Sequence, residues 1–508
     1  VPTTGNSTRS GPWIGGVWYS KPVEDVQSYE LSAMENTRVG QGGQVETRPG
    51  TASYKGIAAL GSTPTLTMVA EYRVSSSTTE VIIVAGTAIY KESGSAWSAI
   101  TGSVTVTAGD DNTWEWINAN GTLIALNGVD INAWKYTGAG NASDLDDNAR
   151  FTVGKHIAWF DNRVWIGNVN AATGQLWFSD IANIEVWGAT SFFNFGGEIQ
   201  GLVPMQNALA VHTRDGIYTL IATGNPTIPY SVVQRTGLNQ DDIDKAGIDG
   251  RSTVAIPGDR QLMLLTDGIY LWSGGADLQK ISPQLDGDNY WNNLNTSRFT
   301  QAFASYFPRE NEVWFWLPEG TSQTNMNNVM VYNTLWNRWH GPYTGVERNC
   351  MGMVEGTPHC GDFAGILFDH DNATFNDVST AIDQSFTTGA APSEGGDTRV
   401  RWLYARHYYD GKGDFSMNVT QDAADLDGTS VSLDLSGSGF VLDEADNLDG
   451  QTLDPIRMQH QDTKMQGYGP HSSLKLDMNA SGQSFTHRRI YMVHKPLGKF
   501  QRPKPVDK

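Results

Sequence analysis

At 508 residues the chain is too long for one compact core, and its 55 Gly with 17 Trp, 18 Tyr and 18 Phe describe turn-rich β structure, not helices. A net charge of −20 argues against a protein that grips nucleic acid through a generally basic surface, though not against one that DNA merely passes. Two cysteines form no disulfide framework, the first residues carry no apolar signal core, and no window holds a membrane span; the expectation is a soluble protein made in a cytoplasm, with no membrane span.

Residues 1–56 are unlike the rest. Gly11–Tyr19 is rich in Gly and Trp, and residues 40–54 are turn-rich and extended, so this stretch reads as an N-terminal arm contributing to assembly.

From 57 to 376 one theme recurs. An apolar run, a tight turn and an aromatic-bearing run follow each other, as in Thr213-Arg-Asp-Gly-Ile-Tyr-Thr-Leu220 and Thr266-Asp-Gly-Ile-Tyr-Leu271. Asp-Gly between apolar runs is a hairpin signal, because Gly accepts the positive φ of such turns. Taking Tyr90, Trp134, Trp177, Tyr218, Tyr270 and Tyr332 as equivalent marks gives intervals of 44, 43, 41, 52 and 62 residues. Four-stranded propeller blades need about 40–50 residues. The fold expected is all-β: a β-propeller of about six blades, five or seven being the alternatives, with strands at 352–368 closing the ring. A pair of β-sandwiches is the rival reading.

Residues 377–397 read as a small-residue linker, and 398–495 as a β-sandwich-like platform domain opened by the alternating strand Arg399–Tyr409. From Phe415 to Gly450 there are eight carboxylates and no Lys or Arg. Arg488 to Lys508 holds seven basic residues against Asp507, and 496–508 forms a basic tail. Such asymmetry suits contact between copies or with a neighbouring protein.

Enzymatic signatures are few. No phosphate loop, His-Glu-x-x-His or Gly-x-Ser-x-Gly is present. Thr107-Ala-Gly-Asp-Asp-Asn-Thr-Trp114 approximates a sialidase Asp-box with Asp and Gly misplaced. Cys350, His359, Cys360, Asp362 and His370 lack the close pairs of a structural zinc site and read as thiols and imidazoles near a hairpin, with a disulfide as the alternative. The runs Asp422, Asp425, Asp427 and Asp443, Asp446, Asp449 precede Gly but have Ala at 423 and 445, where a calcium loop needs a ligand. Trp336-Asn-Arg-Trp339 reads as packing between blades in preference to stacking sugars or bases. No enzyme activity, metal or cofactor is expected.

Glu35-Asn36, a Gly-rich spacer and Arg48-Pro49-Gly50-Thr51 before the first blade resemble the opening of the tail nozzle or hub proteins of short-tailed phages, also called tail tubular protein B or packaged-DNA stabilisation proteins. The C-terminal plan, a linker and then the Arg-rich strand Thr398–Arg406, is similar. The resemblance implies a virion protein assembled in the host cytoplasm: a homohexameric ring below the tail adaptor protein, with propellers outward and β domains lining a channel. Such a ring retains and then ejects the genome, carries tail fibre or spike proteins, and passes double-stranded DNA transiently without sequence recognition. On this reading Arg48, Pro49, Gly50, Arg488, Arg489, Lys499 and Arg502 are assembly contacts. Asp422, Asp425, Asp427, Asp443, Glu444, Asp446 and Asp449 face the lumen or a basic neighbour. The alternative is a propeller acting as a carbohydrate-binding module or glycoside hydrolase. A secreted adhesin is disfavoured by the missing signal peptide.

Overall fold

The structure is a computed structural model that describes residues 6–75, 78–145, 150, 152–169, 172–181, 183–225, 228–237, 250–372, 374–392, 398–411, 416–423, 426–434, 459–465, 468–469, 471–479 and 484–499. They form two compact units: residues 52–329 with 346–371, and residues 1–51 with 330–345 and 372–508.

In the first unit the apolar runs fold into consecutive antiparallel sheets. Leu66–Ser75, Thr78–Ala85, Ala88–Ser93 and Ala96–Ala99 form the first, each strand paired with its chain neighbour. Further sheets of this up-and-down kind begin at Glu115–Ala119, Gly154–Phe160, Ile199–Pro204, Thr253–Ile256 and Phe303–Phe307. A seventh joins Cys350–Val354, Thr357–Gly361 and Leu367–Asn372 to the early strand Gly50–Ser53. The seven opening strands touch in a circuit, each against the next, and Cys350–Val354 returns onto Leu66–Ser75. A closed circuit of four-stranded sheets is a β-propeller.

It has seven blades, one more than the six marks predict. All six marks lie on the third strand of their sheets. The strands at 352–368 are themselves the seventh blade, whose third strand carries Phe368. Its fourth strand comes from the start of the chain, which periodicity cannot reveal.

Sheet-to-sheet packing supplies the core. Met68, Ile82, Ile89, Trp114, Leu123, Trp134 and Tyr136 fill the gap between the first two blades, and Tyr54, Leu66, Ile83, Cys350 and Leu367 that between the last and the first. The turn chemistry differs from expectation. Positive φ falls on Asp161 and Asn162 (51° and 56°), whereas at Gly268 the requirement is room: a Cβ there would lie 2.4 Å from Lys280 Cε and 2.9 Å from Ser282 Oγ.

The second unit holds a two-sheet sandwich, together with residues 330–345 from the outer strands of the sheet that begins at Phe303–Phe307. One sheet orders Thr37–Val39, Val45–Thr47, Phe485–Lys499, Thr398–Gly411 and Gln459–Lys464, with Asn6–Ser10 also on Phe485–Lys499. The other orders Leu31–Glu35, Gln384–Thr388, His471–Met478, Ser416–Ala423 and Leu426–Asp434. Phe386 meets Phe485, His487 and Trp13 face or edge on, with ring centroids 5.5–6.2 Å apart.

Two expectations are corrected here. The N-terminal arm is not separate: four of its strands belong to the two sheets of the sandwich and Gly50–Ser53 to the seventh blade. The linker 377–397 holds Gln384–Thr388, a strand between two others with Phe386 fully buried. Gly, Ser and Thr around it broke the apolar alternation that would have marked it.

Candidate functional site

Arg48, expected at a subunit contact, is buried inside its own unit. Its carboxylate partner is Asp377, with Nη1–Oδ1 at 3.0 Å and Nη2–Oδ2 at 2.5 Å. Nε donates to Asn36 Oδ1 at 2.7 Å, and the remaining donors reach the carbonyls of Pro49 and Thr344. All five guanidinium N–H groups are thereby used. Asn36, in the left-handed region at φ 51°, also accepts from Thr344 N and donates to Thr344 Oγ1 and Asp383 O. Gly50 is fixed by close approach: a Cβ there would lie 2.2 Å from the carbonyl of Asn376. Pro49 is half-buried. Arg48 and Gly50 thus make contacts within the chain, which sequence could not supply because Asp377 lies 329 positions from Arg48.

Arg488 is exposed on the strand Phe485–Lys499. Arg489 is half-buried, its guanidinium over Tyr408 at 4.8 Å and Tyr491 at 5.6 Å. Lys499 pairs with Thr398 through the backbone; its side chain, like Arg502, lies outside the described residues. Asp422 and Asp427 sit on the two strands of a hairpin, not in a cation-binding loop, and their side chains are outside the description. Asp425, Asp443, Glu444, Asp446 and Asp449 are outside it altogether.

The propeller unit has an open pocket of about 290 Å³ along its opening strands, bordered by Glu115, Arg251, Thr253, Phe303 and Met351 among others. Glu115 accepts from the Ile157 amide at 3.1 Å and lies 2.9 Å from His156 Nδ1, so the second and third blades are tied through a buried imidazole. Arg251 donates to the carbonyl of Asn349 at 2.9 Å and lies over Phe303. Beyond it, His212 Nε2 is 2.7 Å from Gln261 Oε1, and burial pushes the His212 imidazole down to about 4. These residues are not legible as a set in sequence, since they come from several different blades. A second cavity of about 350 Å³ is lined by the misplaced Asp-box. There Asp111 makes a two-pronged pair with Arg298 at 2.8 and 3.4 Å, while Trp114 is consumed by the core.

The Cys and His residues do not converge. Cys350 stands opposite Gly361 and Cys360 opposite Met351, so the thiols alternate to opposite sheet faces, and both are free and buried. Burial pushes the Cys350 thiol up to about 12. His359 Nε2 lies 2.5 Å from Asp369, while His370 packs on Trp314 and Trp316 and accepts from Arg348. Among the described residues no group of three or more His, Cys, Asp or Glu is placed to hold a metal. Of the Trp pair, Trp339 is buried against Tyr332, but Trp336 is half-exposed at its hairpin turn.

No protein-family model matches the chain, and no curated protein does. Solved structures similar in strand arrangement include virginiamycin B lyase from Staphylococcus aureus, at 9% identity over 63% of this chain and 97% of that one, TM-score 0.41. The extracellular domain of the putative one-component system BT4673 from B. thetaiotaomicron is similar at 9% identity over 79% of this chain and 57% of that one, TM-score 0.43. PorZ of the Porphyromonas gingivalis type-IX secretion system is similar at 12% identity, covering 67% and 43%, TM-score 0.39.

Proposed function

We propose that this chain is a structural protein of a short-tailed phage tail, the nozzle or hub ring that retains the genome and then lets it pass. The observation that carries the reading is the Asn36–Arg48–Asp377 cluster. The residues that bear the resemblance are joined to one another and fix the point where the chain leaves the sandwich for the propeller and returns. A propeller together with a β platform domain is the plan the resemblance implies. In this role the chain acts by assembly as a homohexamer, docking the tail adaptor above and fibre or spike proteins around it, with no chemistry of its own.

The test is the mass of the purified native protein by light scattering, together with negative-stain imaging. A closed ring of about six copies is expected. A persistent monomer near 55.5 kDa, with or without other tail proteins, would sink the reading.

A further inference from the structure

The outward face of the sandwich sheet built on Thr398–Gly411 and Phe485–Lys499 has a composition at odds with the whole chain. Strand alternation sends Trp402, Ala405, His407, Ile490, Met492 and His494 into the core. The intervening positions therefore face out. Over the register rows from Arg489 to Lys495 these are Arg489 opposite Tyr408, Tyr491 opposite Arg406, and Lys495 opposite Arg401, while Val493, opposite Tyr404, is itself buried. The flanking strands add Arg9 beside Tyr491, and Asp462 and Lys464 beside Arg406 and Tyr404. Six cations and one carboxylate thus share this area in a chain of net charge −20.

The tyrosines organise the cations. Arg489 lies over both Tyr408 and Tyr491, themselves edge to face at 5.6 Å, and Arg406 lies over Tyr404 at 5.8 Å. Rings covered in this way offer little free face for bases to stack on. Instead they hold guanidinium planes in fixed orientations, which suits the two-pronged recognition of phosphate. Arg9, Arg401, Lys464 and Lys495 are exposed. Asp462 neutralises Arg406 through two bonds of 2.7 and 2.8 Å. The next register row brings Glu46 and Asp410 beside Thr486, with Glu46 itself paired to Arg38 at 3.3 Å, so the cationic area ends at Arg489.

We propose that this face binds the phosphate backbone of duplex DNA without reading its sequence. It extends the nozzle reading but is separable from it, since the face lies wholly on one sandwich sheet of a single copy.

The experiment is fluorescence-anisotropy titration of the full chain with a labelled duplex of random sequence across a salt series. Each phosphate neutralised contributes about −0.9 to the slope of log K against log salt, so a slope of about −4 to −5 is expected. Reversing the exposed cross-strand pair, Arg401→Glu with Lys495→Glu, is expected to weaken binding at least tenfold and flatten the slope by about 2. Asp462→Asn, which frees Arg406, is expected to tighten binding several-fold. Arg73→Glu with Arg214→Glu changes net charge equally on exposed propeller residues and is expected to leave binding unchanged. No duplex binding at low salt, equal loss in the propeller pair, or displacement of the duplex by polyglutamate at equal charge would each overturn the proposal. Assembly mass measured on the same variants separates it from the nozzle reading: an intact ring that ignores DNA refutes the face alone.

Discussion

Arg48 shows how much one buried ion pair decides. Its side chain is 3% exposed and spends every donor, so removing it strands Asp377 as a nearly buried, unpaired carboxylate. Breaking such a pair costs about 3–5 kcal/mol, and Arg48→Ala is expected to lower stability by that order in urea denaturation. Arg48→Lys should recover little, because an ammonium cannot make the fork to Asp377 and the bond to Asn36 together. Three histidines set a pH dependence. Burial holds His212 and His407 down to about 4 and His487 well below its ordinary value. Between about pH 6.5 and 4 the unfolded chain therefore binds protons that the folded chain refuses, so stability is present above that window and lost as pH falls through it. His212 and His407 each account for up to about 3 kcal/mol by pH 4, and His487 adds in the same direction. Denaturation midpoints measured from pH 7 to 4.5 should fall steadily, and His212→Gln should flatten part of that decline. A flat profile in the parent protein would contradict the buried, neutral assignment.

At the scale of elements, the propeller was legible because its third strands repeat an aromatic after a turn, and this pattern survives variation in loop length. The blade count was not, because the last blade borrows Gly50–Ser53 from some 300 positions upstream. The sandwich was half legible: Arg399–Tyr409 alternates plainly, but Asn6–Ser10 and Val45–Thr47 in the same sheet are short strands that pair with Phe485–Lys499, near the other end of the chain. The Arg48 cluster and the cationic face share that limit, since register across distant strands brings their members together. The borrowed strand closes the ring, so damage to it should be felt in the neighbouring blades. Ala52→Pro removes a ladder donor there, and is expected to lower Tm by several degrees and to speed amide exchange in Leu66–Ser75 and Leu367–Asn372. Unchanged exchange in those strands would show that the ring holds without it.

For the whole molecule, net charge is an average that conceals its own exceptions. The total of −20 argues against a protein that grips phosphates, yet alternation on two long strands gathers cations on one side of one sheet. Solubility and general repulsion follow the total, whereas recognition follows the local field. The interleaving of the chain also has a consequence in time. Asn6–Ser10 and Val45–Thr47 are made well ahead of their pairing strand Phe485–Lys499, which follows about 440 residues or more behind. At 5–20 residues per second these segments wait roughly 20–90 s for a partner. The strand that closes the propeller is already made when residue 372 emerges, so the ring can be complete while the sandwich is still half-synthesised. During translation these strands are thus secured after the propeller that follows them, and nascent chains released before residue 485 should carry a finished propeller beside adhesive, unpaired strands at 6–10 and 45–47.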